Sequence, residues 1–154
     1  MLFDPFFVQK AEELNKEIAI ILKAQEEEDN VFLEMQQKRL TTFGETLEYH
    51  RNRKNHITLE QLAERSGLSV TTIKNYRSGK SVPPIENVMA VCIGLNLPKA
   101  YSLHLLKTCS YTLGDSPRDR AFRLCLDYDE GTLELWNKIL AACSQPAIPD
   151  NRNQ

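Results

Sequence analysis

Two consecutive sets of helix start and stop signals lie in the middle of the sequence. Thr58-Leu59-Glu60-Gln61 is a capping box, in which the threonine hydroxyl can accept from the amide of Gln61 while the glutamine side chain reaches back. The helix that begins there can end at Gly67, because glycine tolerates the left-handed conformation found just past a helix C terminus. Ser69 is a second N-cap and Gly79 a second stop. The spacing therefore predicts two short helices joined by a tight turn.

The apolar residues around this turn can hold the two helices together. Ile57 with Leu62, and Leu68 with Ile73, have the spacing of hydrophobic staples across the two N termini. A small residue, Ala63, matters because a larger side chain would push the helices apart. The result is a rigid corner of the helix-turn-helix type, whose second helix presents its N-terminal end outward.

The rest of the chain also has a helical pattern. Valine, isoleucine and aromatic residues never alternate with polar ones long enough to indicate a sheet, so we expect an all-α fold. Near the N terminus an apolar stripe recurs in alternating steps of four and three, which keeps it on one helix face. The stripe consists of Phe7, Ala11, Leu14, Ile18 and Ile21. The acidic run at 26–30 interrupts it, and leaves open whether this segment is one helix or two.

Length and composition exclude several classes of protein. The 154 residues, of which 42% are hydrophobic, suffice for one compact domain with an appendage. No apolar stretch approaches the roughly 20 residues of a membrane span, and no signal peptide is expected. The four cysteines form no CxxC pair and the three histidines lack metal-ligand spacing. We therefore expect reduced thiols, no metal site and a cytoplasmic protein.

The charges are segregated along the sequence. Residues 1–37 carry three lysines against nine acids, whereas residues 38–80 carry nine lysines and arginines against four acids. The remainder is nearly balanced, and the whole chain has a net charge of −2. A basic segment inside an acidic chain is typical of a face that meets phosphates, but a solvated surface with clustered signs fits the composition equally well.

From Phe43 to Leu106 the order of these signals resembles the lambda-repressor/Cro-like helix-turn-helix family, often called XRE-type regulators. The resemblance covers somewhat under half of the chain. The matching residues are Phe43 to Leu47, Arg51, Ile57, Thr58, Leu62, Ala63, Gly67 to Ser69, Thr72, Ile73, Gly79, Lys80, Pro83 and Leu95. With the flanking helix signals it implies a five-helix DNA-binding domain at 43–108, an N-terminal helical extension at 1–42, a C-terminal helical pair at 109–145 and a loose tail at 146–154.

The resemblance also implies which residues contact DNA. In the family the first residues of the second helix reach base edges in the major groove. Those residues here are Ser69, Val70, Thr71, Lys74 and, less directly, Asn75. Contacts to the DNA backbone are implied for Thr58, Ser78 and Lys80, with added positive charge from Arg51, Arg53, Lys54 and Arg77. For Lys74 and the cations of residues 51–54, ordinary solvated positions are an equally good interpretation. Leu59 stands where many relatives have a phosphate-anchoring glutamine, which counts against that particular contact.

These features predict a sequence-specific transcription regulator that binds an operator in double-stranded DNA as a homodimer, because one small helix-turn-helix makes few base contacts. The dimer interface could be the N-terminal stripe or the C-terminal helices, or both could pack back on the domain. The apolar residues of the C-terminal helices are Phe122, Leu124, Trp136 and Leu140. No cofactor, small-molecule ligand, membrane partner or enzymatic site is predicted. An alternative function for the same fold is protein contact, as in an antitoxin-like or scaffold module, and the negative net charge and Leu59 favour it.

Overall fold

The computed structural model describes residues 4–53 and 56–150, and all the regular secondary structure in these ranges is α-helical. The helices are α1 (Pro5–Lys38), α2 (Phe43–Arg53), α3 (Leu59–Ser66), α4 (Val70–Ser78), α5 (Ile85–Gly94), α6 (Lys99–Thr108), α7 (Pro117–Leu126) and α8 (Leu133–Ala142). The prediction of an all-α fold is confirmed. Over the same ranges, none of the helices has the combination of length and apolar character that would let it span a bilayer.

The start and stop signals in the middle of the sequence act as predicted. Thr58 Oγ1 accepts from the amide of Gln61 at 3.0 Å, and the Gln61 side chain accepts from the amide of Thr58 at 3.0 Å. Ser69 Oγ accepts from the amide of Thr72 at 3.1 Å. Helices α3 and α4 end at Gly67 and Gly79, whose φ angles of 75° and 79° are left-handed. The predicted boundaries of both helices are therefore confirmed.

Helices α2 to α6 surround a common apolar core. Each of them contributes at least one apolar side chain with no exposed surface. These include Leu47, Leu62, Ile73, Met89 and Leu105. Helix α3 packs against both α4 and α5, and α2 crosses α4. Helix α4 is consequently held from two sides, while its remaining surface faces outward.

The C-terminal helices pack back onto this core. Phe122 from α7 and both Trp136 and Leu140 from α8 are fully or almost fully buried, and α8 contacts α5. The indole nitrogen of Trp136 donates to the carbonyl of Tyr128 at 2.9 Å, which satisfies its one polar group. Of the apolar residues considered for a dimer interface in this region, Leu124 stays exposed.

The segment that follows α8 differs from the expected loose tail. Ile148 is 1% exposed, its amide donates to Asn137 Oδ1 at 2.7 Å, and its carbonyl accepts from Asn137 Nδ2 at 3.1 Å. One apolar side chain and one side-chain amide on α8 thus hold the chain against the domain at this point. The prolines of this segment suggested a loose tail. Composition cannot reveal a pair of tertiary contacts such as those of Ile148 and Asn137. Residues 151–154 of the predicted tail lie outside the described residues.

The N-terminal segment is a single helix that runs through the acidic residues. Asp4 caps its N terminus, Pro5 occupies the first helical position, and Gln25 donates to Asp29 within the acidic run. Only Val31 and Met35 of α1 are buried, next to α6, whereas residues 4–30 are exposed throughout. Helix α1 is therefore fixed to the domain near its C-terminal end only.

A polar cluster strengthens that attachment. The Glu34 carboxylate accepts hydrogen bonds from the hydroxyls of Tyr49 on α2 and of Tyr101 on α6, the latter at 2.7 Å. The Arg53 guanidinium lies 4.2 Å from the centre of the Tyr101 ring. Partial burial alone would raise the pKa of Glu34, but the bonds from Tyr49 and Tyr101 and the charge of Arg53 outweigh it and lower that pKa. The carboxylate stays charged and joins three helices.

Candidate nucleic-acid interface

The orientation of α4 is fixed by two residues on its inner side. Ile73 is fully buried in the core, and Tyr76 is 5% exposed. The Tyr76 hydroxyl accepts from Asn87 Nδ2 at 2.7 Å, and its ring meets Phe43 edge-on with centroids 6.0 Å apart. Because both ends of the tyrosine side chain are held, α4 has little freedom to rotate about its axis.

The outer side of α4 is polar and open. Thr71, Lys74 and Ser78 are exposed, and their spacing of three and four residues places them on one face. Val70 and Asn75 are half-buried at the edges of that face. The structure thus brings together four of the five residues for which base contacts were predicted, along one exposed side of a rigidly held helix.

Ser69, the fifth, is half-buried at the start of α4, and its hydroxyl is used in local structure. Besides accepting from the Thr72 amide, Ser69 Oγ is 2.8 Å from Thr72 Oγ1. The cap leaves the first amides of α4 oriented outward along the helix axis, where they form an electropositive helix end. In this structure Ser69 therefore shapes the helix terminus.

Three of the residues for which contacts with the DNA backbone were predicted lie at the ends of helices. Thr58, Ser78 and Lys80 are exposed, at the start of α3 and at the end of α4. Ser78 Oγ donates to the carbonyl of Asn75 at 3.2 Å. Arg77 is exposed on the side of α4 that faces α2, with Nη1 3.9 Å from Glu48 Oε1.

Arg51 has a different role from the predicted contact with DNA. It is 8% exposed, and its guanidinium donates to the Ile57 carbonyl at 2.7 Å and to the Glu48 carboxylate at 2.9 and 3.1 Å. These bonds satisfy a buried charge and tie the end of α2 to the segment before α3. Arg51 is consequently turned inward and occupied within the domain.

Arg53 also differs from its predicted role. Its guanidinium stacks on Tyr101 of α6 and lies close enough to Glu34 to lower the pKa of that carboxyl. Its neighbour Lys54, the third cation predicted near the end of α2, lies outside the described residues. Among the described cations of the predicted site, Lys74, Arg77 and Lys80 are the ones that remain exposed.

The Glu34 cluster is the feature that sequence reasoning missed. Its members come from α1, α2 and α6, so no local motif connects them. His50 lies within it, with its ring 5.3 Å from that of Tyr49 and 5.0 Å from that of Tyr101. Burial first, and then the charges of Arg53 and His104, lower the pKa of His50 to about 4.

The reactive groups in the described part of the chain include four thiols but no metal-binding cluster. In the ranges 4–53 and 56–150 no group of three histidine, cysteine or acidic side chains has the arrangement of a metal site. All four cysteines are free thiols. Burial raises the pKa of Cys92 and of Cys125 to about 12, so both thiols are protonated and unreactive at neutral pH.

Comparison with known proteins assigns the segment that contains this face. The helix-turn-helix family model HTH_3 matches residues 47–102, which is somewhat over a third of the chain and runs from α2 into α6. No curated protein and no solved structure matches the chain. The matched family is a DNA-binding family. Residues 47–102 are therefore similar to helix-turn-helix domains of the XRE/lambda-repressor-like type, with α3 and α4 as the central pair of helices.

Proposed function

We propose that this protein is a sequence-specific transcription regulator that inserts α4 into the major groove of an operator. The observation that carries the proposal is the exposed face of Thr71, Lys74 and Ser78 on a helix whose opposite side is locked into the core. A helix of this width fits the major groove of B-form DNA, and a fixed orientation lets the same side chains meet the same base edges each time.

The residues of α4 have complementary chemistry for reading bases. Lys74 can donate to guanine, Thr71 can contact a base or a phosphate, and the methyl groups of Val70 can pack against a thymine methyl. Asn75, at the edge of the face, can reach a base only if the helix tilts toward it. Ser69 contributes mainly by capping α4 and so orienting its first amides.

Phosphate contacts are expected on both sides of this helix. Thr58 lies at the N terminus of α3, and Ser69 lies at that of α4, where free amides favour an anion. Ser78, Lys80 and Arg77 lie at the other end of α4. Such contacts supply most of the affinity and make it depend on salt, whereas α4 supplies the sequence preference.

The test of base reading is Lys74→Ala against a sequence selected from a random duplex pool. We expect cognate affinity to fall about tenfold and affinity for random duplexes to fall much less, because a base contact is worth about 1–3 kcal/mol. Lys138→Ala is the matched control, since this lysine on α8 is 73% exposed and remote from α4 in the chain. An equal loss on cognate and random duplexes would contradict the proposed role of Lys74.

We further propose that the regulator binds as a homodimer and acts in the cytoplasm. Two copies of α4 would read two half-sites, which compensates for the few base contacts of one domain. The half-buried thiols of Cys109 and Cys143 are unpaired, which fits a reducing compartment.

A second candidate function uses the same domain for protein contacts. The exposed apolar side chains of α1 favour it, because contiguous apolar surface marks an interaction site. The two candidates differ in their response to salt. A DNA-binding regulator should bind random duplexes at low salt and lose them steeply as salt rises, whereas a protein-contact module should show no such binding.

A further inference from the structure

The exposed part of α1 carries an apolar face that no described residue covers. Phe7, Leu14, Ile18 and Ile21 are between 44% and 69% exposed, and Ala11 completes the stripe. Their alternating steps of four and three are those of the contact line of a coiled coil. A helix that contacts its own domain only near Glu34 leaves this face exposed, so a partner that covers it would come from outside the domain.

The charged residues beside the stripe indicate a second α1 helix running in the opposite direction. Lys10 and Glu17 immediately precede Ala11 and Ile18, and so flank the same side of the contact line. In an antiparallel pair these flanking positions face each other, which places Lys10 opposite Glu17 of the second copy, twice by symmetry. In a parallel pair Lys10 would face Asn15 and Glu17 would face Leu22, with no opposite charges.

The acidic run of α1 supports the same direction. Continuing the stripe in its steps of four and three places Glu28 on the contact line, next to three further acids at 26, 27 and 29. A parallel pair would bring both runs side by side and bury two like charges at Glu28. An antiparallel pair centred between Lys10 and Glu17 separates the two runs to opposite ends.

We propose that a second copy of this chain covers the apolar face of α1, with the two helices paired antiparallel over residues 4–21. In this arrangement Ala11 packs against Leu14 of the second copy, and Phe7 packs against Ile18, so small and large side chains alternate. The inference deepens the proposed function, because it names the surface that forms the homodimer. Self-association through α1 itself requires no DNA, so it can be measured independently.

The first test replaces a residue on the contact line and measures the mass of the full chain in solution without DNA. We expect the unmodified chain to sediment as a dimer and Leu14→Glu to weaken the dimer at least a hundredfold. Ile20→Glu is the matched control, because Ile20 is 69% exposed in the same helix but lies off the contact line, and it should leave the dimer intact. A monomeric unmodified chain, or equal effects of the two substitutions, would overturn the proposal.

The second test distinguishes the two directions. Lys10→Glu and Glu17→Lys should each weaken the dimer about tenfold, because each replaces two attractive pairs by two repulsive ones. The double variant should recover the original affinity. If the single variants dimerise like the unmodified chain, the antiparallel arrangement is wrong.

The outcomes of these tests are separate from those for DNA binding. A chain that dimerises through α1 but shows no salt-dependent binding of duplexes would refute the proposed function and leave this inference standing. A monomeric chain that binds DNA through Lys74 would refute the pairing of α1 and support the proposed reading of DNA by α4.

Discussion

His50 on α2 has both ring nitrogens buried and without a hydrogen-bond partner in the described part of the chain. Its neighbours are the rings of Tyr49 and Tyr101, and its pKa is lowered to about 4 because the charged form would be desolvated and close to Arg53. The neutral ring therefore acts as a packing residue in the cluster that attaches α1. In the sequence alone His50 was only one of three histidines without metal spacing.

We expect the free energy of unfolding to decrease as the pH falls from about 6.5 to about 4. In this range the unfolded chain binds a proton at His50 and the folded chain does not, so acid favours unfolding by up to about 3 kcal/mol and the effect levels off below pH 4. Urea unfolding at several pH values should show a flatter pH dependence for His50→Gln than for the unmodified chain. The exposed His56 provides the control, and His56→Gln should retain the original slope. Identical slopes for His50→Gln and the unmodified chain would contradict this explanation.

The inward positions of Arg51 and Arg53 show where sequence reasoning about single residues stops. Each is a cation near the end of a helix in a basic segment, which is equally compatible with a phosphate contact. Their directions are decided by the carbonyl of Ile57, which lies beyond the end of α2, and by the ring of Tyr101, which is distant in the sequence. Burial of a charged side chain is a property of its tertiary surroundings.

The elements themselves were largely predictable because their signals are local. A capping residue and the amide it satisfies are three residues apart, so Thr58 and Ser69 mark the starts of α3 and α4 without knowledge of the rest of the fold. Local signals did not determine whether the N-terminal segment forms one helix or two. The acidic run has good helix formers and also repelling charges, and the structure shows that it continues the helix.

At Gly44 two helices approach each other very closely. Helix α2 crosses the C-terminal end of α4 there, and a Cβ atom on Gly44 would collide with the carbonyl oxygen of Arg77 and lie 3.0 Å from that of Tyr76. Both are backbone atoms, so neither can move aside as a flexible side chain would. The crossing therefore requires glycine because of the close approach, although the local helix would prefer alanine.

We expect Gly44→Ala to lower the free energy of unfolding by about 1–3 kcal/mol, the usual cost of overpacking, instead of raising it as in an exposed helix. DNA affinity should also fall, because relief of the collision displaces α4. Thermal unfolding and duplex binding can be measured on the same preparation. Gly114→Ala serves as the control, since a Cβ there meets only Asp119 Oδ2 at an ordinary 3.4 Å. A Gly44→Ala chain as stable as the unmodified one would show that the helices do not pack this closely.

At the scale of the whole molecule, the pattern of apolar residues could not reveal what each stripe packs against. The stripe of α1 and the apolar residues of α7 and α8 look alike in the sequence, and each could serve the domain or a second copy. In the structure α7 and α8 bury Phe122 and Trp136 against the domain, whereas Phe7 and Leu14 of α1 remain exposed. Periodicity identifies an apolar face. What packs against that face depends on where its helix is attached to the rest of the molecule.

The proposed antiparallel pairing of α1 predicts the spacing of the operator. With 1.5 Å per residue, the two Glu34 attachment points would lie about 65 Å apart along the paired helices, close to two turns of B-form DNA at about 34–36 Å each. With α1 lying along the duplex and each α4 level with its own Glu34, sequences selected from a random pool should contain two inverted half-sites whose centres are about two turns apart. Insertion of half a turn between them should reduce affinity strongly, because one α4 would then face the wrong side of the duplex. Half-sites separated by one turn would contradict this geometry.

Because α1 is attached to the domain near one end only, a small rotation at that end moves the other end of the helix a long way. From Glu34 to Pro5 it measures about 43 Å, so a tilt of about 10° at the domain would displace its far end by about 8 Å, more than the rise of two base pairs at 3.4 Å each. The contacts that hold α1 to the domain, which are the buried Val31 and Met35 and the two tyrosine hydroxyls on Glu34, thus determine how precisely the separation of the two α4 helices is defined. A small change at these contacts would therefore have its largest effect at the far end of the helix.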